Sequence, residues 1–172
     1  MLDPWNNFFV MVGGGTAALA GLIFVATAAN LNAILRNATH RNRAINMLSG
    51  FTAVFMACSL GLVARQPLAA LGIEWLALWT IAAVIFVRGY VVAIRAGMSS
   101  IGLNVARLAG GTACYVAEVV AAILLVLGFP AGLYVAAMAA VVLIAFLISG
   151  AWLLMVGIYE EQAPVRLPRD AA

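Results

Sequence analysis

Residues 8–21 read FFVMVGGGTAALAG, an apolar run that passes without a break into three glycines. Two folds compete for this stretch. Gly13, Gly15 and Ala18 spell G-x-G-x-x-A, the turn that cradles a dinucleotide phosphate between a strand and a helix. The same letters make a small-residue face on a membrane-spanning helix. The dinucleotide turn needs an acidic residue about 20 positions on to hold the ribose, within alternating strands and helices. After Asp3 the next carboxylate is Glu74, and no such alternation follows. The stretch reads as helix in a membrane.

The rest of the chain agrees. Of 172 residues, 66% are hydrophobic and 9% charged, and the mean hydropathy is +1.13. A soluble domain carries about 25% charged residues. Too few polar side chains exist here to coat a water-facing surface, so lipid is the solvent for most of the chain. All nine basic residues are arginine. They stand scattered between apolar runs, a pattern that suits membrane topology and argues against a nucleic-acid partner.

A hydrocarbon core about 30 Å thick takes roughly 20 apolar residues of helix. Five segments meet that length: 8–35, 44–63, 75–94, 108–127 and 131–159. The expected fold is all-α, one five-helix transmembrane domain over 1–160 with a short tail at 161–172. Breaks are expected at RNATHRNR, RQPLAALGIE, RAGMSSIGLNVAR and GFPAG. With the N-terminus outside, Arg36, Arg41, Arg43, Arg88, Arg95, Arg107, Arg166 and Arg169 fall on the inner side and Arg65 alone outside. That excess predicts an N-out, C-in orientation and a cytoplasmic tail. Trp5, Trp75 and Tyr159 lie at segment ends, where amphipathic rings favour the interface. No basic residue precedes the first apolar run, so the first span is expected to be a retained helix rather than a cleaved signal.

Within the spans, Gly13, Ala17 and Gly21 recur every four residues, and Ala29 and Ala33 extend the row. Such a face lets helices approach closely, either within the chain or between copies. Glu118, in CYVAEVVAAILL, is the carboxylate well inside a span. A charge at that depth costs about 2.5–3.5 kcal/mol on insertion scales unless paired, wetted or protonated. Four structural or functional roles stay open for it: a buried ion pair with Arg88, a neutral acid bonded to a carbonyl, an ion or proton site, or a partner-binding role. Asn30, Asn46 and Thr52 are candidates to share a polar pore or vestibule with Glu118. Arg36, Arg41 and Arg43 lie where anionic lipid headgroups would meet them, although topology alone explains arginines there.

Missing residues narrow the chemistry. His40, the one histidine, is expected in a loop, which leaves no paired-histidine haem ligation and no His-rich metal site. Without lysine no Schiff base to a cofactor forms. Cys58 and Cys114 stand alone in apolar runs and read as small buried groups. No cofactor, no metal and no enzymatic activity are expected.

The first helix carries a resemblance. W-x-x-F-F-V at 5–10, the small residues 13–20 and GLIFVATAANLNAIL at 21–35 resemble a widespread group of small bacterial multi-span inner-membrane proteins, with Trp5, Phe8, Phe9, Gly21, Phe24 and Asn30 in step. The resemblance implies a multi-span fold and a bacterial inner membrane, and brings no reaction or site residue with it. Five helices offer little private interior, so the expected function is a homo-oligomeric channel or permeation assembly. The alternative is a non-catalytic accessory or regulatory subunit of a larger membrane complex.

Overall fold

The computed structural model describes residues 3–95 and 101–162, with side chains described over 4–91 and 105–160. A 3-10 turn (Asp3–Trp5) enters α1 (Asn6–Ala29). Then follow a short α2 (Leu31–Arg36), α3 (Ala38–Gly61), α4 (Leu68–Arg95), α5 (Ile101–Val126) and α6 (Ala131–Gln162). The described residues contain no strand. All of these helices but α2 are long and apolar enough to cross a membrane. The chain is a multi-pass helical membrane protein. The expected tail at 161–172 lies, from residue 163 on, outside the described residues.

Helix ends follow local chemistry rather than polarity, and this moves four expected boundaries. The first expected span (8–35) is broken at Asn30, whose φ of −112° leaves the helix and whose Nδ2 donates to the Ala26 carbonyl at 3.0 Å. The expected loop RNATHRNR is mostly helix. Asn37 caps α3, its side chain accepting from Thr39 N–H at 2.9 Å, so α3 begins at Ala38 and not Ala44. His40 accordingly sits on a helix and is buried, at 6% exposure. Pro67 immediately precedes α4, which starts at Leu68 instead of Trp75; a proline suits that position because a first-turn N–H has no helical partner to lose. α5 likewise starts at Ile101, ahead of the expected Leu108. Polar residues do not end these helices, which run on through them. The expected GFPAG break stands: Gly128 takes φ +81° and Phe129 N–H reaches back to the Leu124 carbonyl at 2.9 Å, a glycine-terminated helix end.

Helices α3, α4, α5 and α6 pack in a closed ring, each on the next and α6 back on α3, while α1 lies outside and packs chiefly on α3. Successive spans alternate in direction. Trp5, Phe9, Gly61, Trp75 and Tyr134 gather at one end of the bundle, with the Trp5 and Tyr134 rings 4.8 Å apart and those of Phe9 and Trp75 6.2 Å apart. Arg107, Gly150 and Met47 meet at the other. The start of α1 and the end of α6 thus lie at opposite ends.

Aromatic rings fill the axis of the bundle. Trp79 stacks near Tyr115 at 6.2 Å, Tyr115 near Phe86 at 5.1 Å, and Phe86 near Tyr90 at 4.8 Å. Gly111 on α5 makes room for this column, since a methyl group there would collide with Cζ of Phe86. Phe51, Leu143 and Leu147 close the remaining space, with exposures of 0–2%. Among the described residues these side chains leave no open polar path along the axis of the bundle.

Candidate functional site

The inward row of α5 is Gly111, Cys114, Tyr115, Glu118, Ala121, Ala122 and Leu125, spaced three and four apart as one helical face requires. Glu118 falls on that row by phase, not by polarity, and is 1% exposed. It lines a cavity of about 20 Å³ with Val54, Ala57 and Cys58 of α3, Trp75 and Trp79 of α4, and α6 alanines. That volume admits about one water molecule. No cation lines it.

Polar groups around this cavity are unevenly satisfied. Trp75 Nε1 donates across to the Ala57 carbonyl at 3.0 Å. Trp79 Nε1, Tyr115 OH and Glu118 Oε1 are buried and meet no hydrogen-bond partner. Helical side chains lean toward their own N-terminus. Trp79 on α4 therefore leans toward the Trp5 end, and Tyr115 on the antiparallel α5 leans the other way, toward Gly50 and Leu147. An indole donor and a carboxyl thus share the cavity and can fix a water there, while the phenol lies outside it.

The sequence-derived residues do not converge on one site. Arg88 and Glu118 do not pair. The inward row of α4 is Leu71, Trp75, Trp79, Ala82, Phe86 and Tyr90, and Arg88 falls midway between its last two members, half a turn away and exposed. Asn46 is buried against Gly89 of α4, where a Cβ would come within 2.8 Å of its amide. Its place on α3 is about 3.3 turns from the Cys58 level of the Glu118 cavity. Asn30 is spent on its own helix end, and Thr52 faces out of the bundle. The shared cavity of Asn30, Asn46, Thr52 and Glu118 does not exist within one chain, because these residues occupy different faces and levels.

The small-residue row divides as well. Gly13 is buried on α3, 3.1 Å from Cβ of Cys58 as measured from its own Cβ position; Ala17 is exposed and Gly21 faces open space. A four-residue step advances about 40° on a helix of 3.6 residues per turn, so the row turns away from α3 within two steps. Cys58 and Cys114 are both buried and free. Arg36 and Arg41 are exposed at the Arg107 end, whereas Arg43 is partly buried and turned into the bundle. Among the described residues, no group of three or more His, Cys, Asp or Glu side chains comes together.

Two groups of residues escaped the sequence reading. Trp79 and Tyr115 were hidden among apolar letters, although they share inward rows with Trp75 and Glu118. Arg107 was counted only for topology, yet it extends the Gly111–Tyr115 row by one turn. Carrying each inward row to the end of its helix finds all three. No protein-family model, no curated protein and no solved structure matches the chain.

Proposed function

We propose that the chain is a homo-oligomeric permeation protein of a bacterial inner membrane, oriented N-out and C-in, whose path runs between protomers. The filled axis of the bundle directs the path outside the single chain. One observation carries the reading. α3 is the least apolar of the five spans, and the strip it leaves uncovered by other helices holds Ile45, Thr52, Met56 and Ser59, so two hydroxyl residues look outward at membrane depth. Ser59 turns its hydroxyl back to the Phe55 carbonyl at 2.8 Å, as a helix in lipid requires of it. The exposed small residues Gly14, Ala17 and Gly21 of α1 supply a surface on which a second copy packs closely. Glu118 stands off this path. Arg36 and Arg41 sit at the headgroup level of the inner leaflet, where their charge also sets the orientation.

The test combines native mass analysis with flux in liposomes. A symmetric homo-oligomer is expected, together with passage of ions or small solutes that thiol-reactive reagents block in Thr52→Cys. Buried Cys58 and Cys114 give the unmodified protein little response. Absence of flux for every solute tried sinks the permeation reading. Recovery of a single copy bound stoichiometrically to a larger partner establishes the accessory-subunit reading in its place.

A further inference from the structure

A second cavity lies at the Arg107 end, apart from the outward strip of α3. Its enclosed part measures about 20 Å³, room for one water, and it opens outward into about 330 Å³ of space in all, so a larger group is held at its mouth. It is lined by Arg43, Asn46, Tyr90 and Arg107 against Met47, Phe86, Phe146, Leu147, Gly150 and Leu153. The polar residues come from three helices and share one level. Arg43 is five residues from the start of α3, Tyr90 five from the end of α4, and Arg107 six from the start of α5. At 1.5 Å per residue each stands about 7.5–9 Å in from its helix end.

The Arg107 guanidinium is positioned by its neighbours, and among the described residues no acid pairs with it or with Arg43. Arg107 lies over the Phe146 ring, 5.1 Å from its centroid, and reaches Ser149 Oγ at 3.4 Å. Gly150 permits that reach, since a Cβ there would come within 3.2 Å of Arg107 Nη2. Among the described residues no carboxylate lines the cavity, and the ionisable groups acting on Arg43 are Tyr90 and Arg107. Two like charges drawn into one partly buried space repel each other unless an anion stands between them. Asn46 adds an independent sign. Its side chain is 6% exposed, it lines the same cavity, and its amide oxygen meets no partner. An amide oxygen left open in this way accepts, so it calls for a donor such as the hydroxyl of a hydrogenphosphate or a bridging water.

We propose that Arg43 and Arg107, completed by Asn46 and Tyr90, form a binding site for a phosphate group at this end of the bundle. Two planar forks of donors suit the several oxygens of a phosphate better than a point charge does. The site does not depend on the permeation path or on the oligomer.

The full chain in phosphatidylcholine nanodiscs provides the test, with two probes. Phosphatidylglycerol, added as a minor lipid, is followed by native mass spectrometry; inorganic phosphate is followed by calorimetric titration. Saturable binding of one probe is expected, and Arg107→Gln and Arg43→Gln should each weaken it by at least about tenfold. Arg88→Gln, which removes an exposed charge on the outer face of α4, should leave it unchanged. Arg107→Lys keeps the charge without the fork and should bind with intermediate strength, which guards against a variant that merely misfolds. Binding of the lipid alone identifies a headgroup site, and binding of inorganic phosphate identifies a soluble anion. No saturable binding of either probe, or binding that Arg88→Gln weakens as much as Arg107→Gln does, overturns the proposal.

Discussion

Helices α3 and α6 both run the length of the bundle, yet they divide their surface in opposite ways. α3 has a mean hydropathy of 1.5 and 56% of its span buried; α6 has 2.6 and only 22%. The other three spans fall in strict order between them, at 1.9 with 39%, 2.0 with 33% and 2.1 with 28%. In water the most buried helix would be the most apolar. Here the ranking is reversed, because lipid receives leucine and valine without cost while polar groups need the protein interior. α3 is central because it carries His40, Asn46, Gly50 and Gly61. α6 turns most of its surface to lipid because it carries little that lipid would reject.

The largest effect that could break this comparison is the loss of a ring from each helix. Phe51 of α3 is 0% exposed and Trp152 of α6 is 71% exposed. Phe51→Ala should cost about 3–5 kcal/mol, as emptying a packed core site does. Trp152→Ala should stay within about 0.5 kcal/mol, as exposed sites do. Reversible unfolding in mixed micelles, followed by far-UV circular dichroism, measures both. A Trp152→Ala loss as large as that of Phe51→Ala would mean that α6, not α3, holds the interior.

This contrast also explains what could be read in advance. Five spans and their alternation are visible in hydropathy, because the bilayer imposes a length that composition must meet. Which helix is central is visible too, though only in hindsight of the reversed ranking. Helix ends were harder. Asn37 and Pro67 are short-range signals inside polar stretches, and the eye reads polarity as loop. Sites were harder still. Arg88 and Glu118 have matching charge and plausible depth, but pairing depends on rotation about the helix axis. Two residues of drift, as between Arg88 and Phe86 or Tyr90, put a side chain on the far face.

A finer cut is available within α4, where two tryptophans one turn apart differ in hydrogen bonding. Trp75→Phe removes the bond to the Ala57 carbonyl and should cost about 1 kcal/mol beyond any loss of packing. Trp79→Phe removes an N–H that has no partner and should cost less than Trp75→Phe does, or stabilise. The same unfolding assay, run on the two variants in parallel, reads the difference. Equal losses would show that Trp79 Nε1 is satisfied, most simply by a water in the Glu118 cavity.

The smallest expected effect concerns Glu118 and Arg88, and it asks whether the interior pairs its polar groups or only hides them. Glu118 is enclosed by α3, α4 and α6 side chains with no cation among them. Trp79, the cavity residue of α4 nearest Arg88 in sequence, is nine residues away, or about 14 Å along the helix. A double-mutant cycle of Glu118→Gln and Arg88→Gln should therefore show coupling below about 0.5 kcal/mol, the range of independent sites. Glu118→Gln alone keeps the shape and one hydrogen-bonding oxygen, so its cost should stay within about 1 kcal/mol. Coupling above about 1 kcal/mol would require α4 to turn by roughly half a revolution, which would carry Trp75 and Trp79 out of the core. Because those rings fill the interior against α3, that single measurement bears on the packing of the whole ring and not on one pair alone.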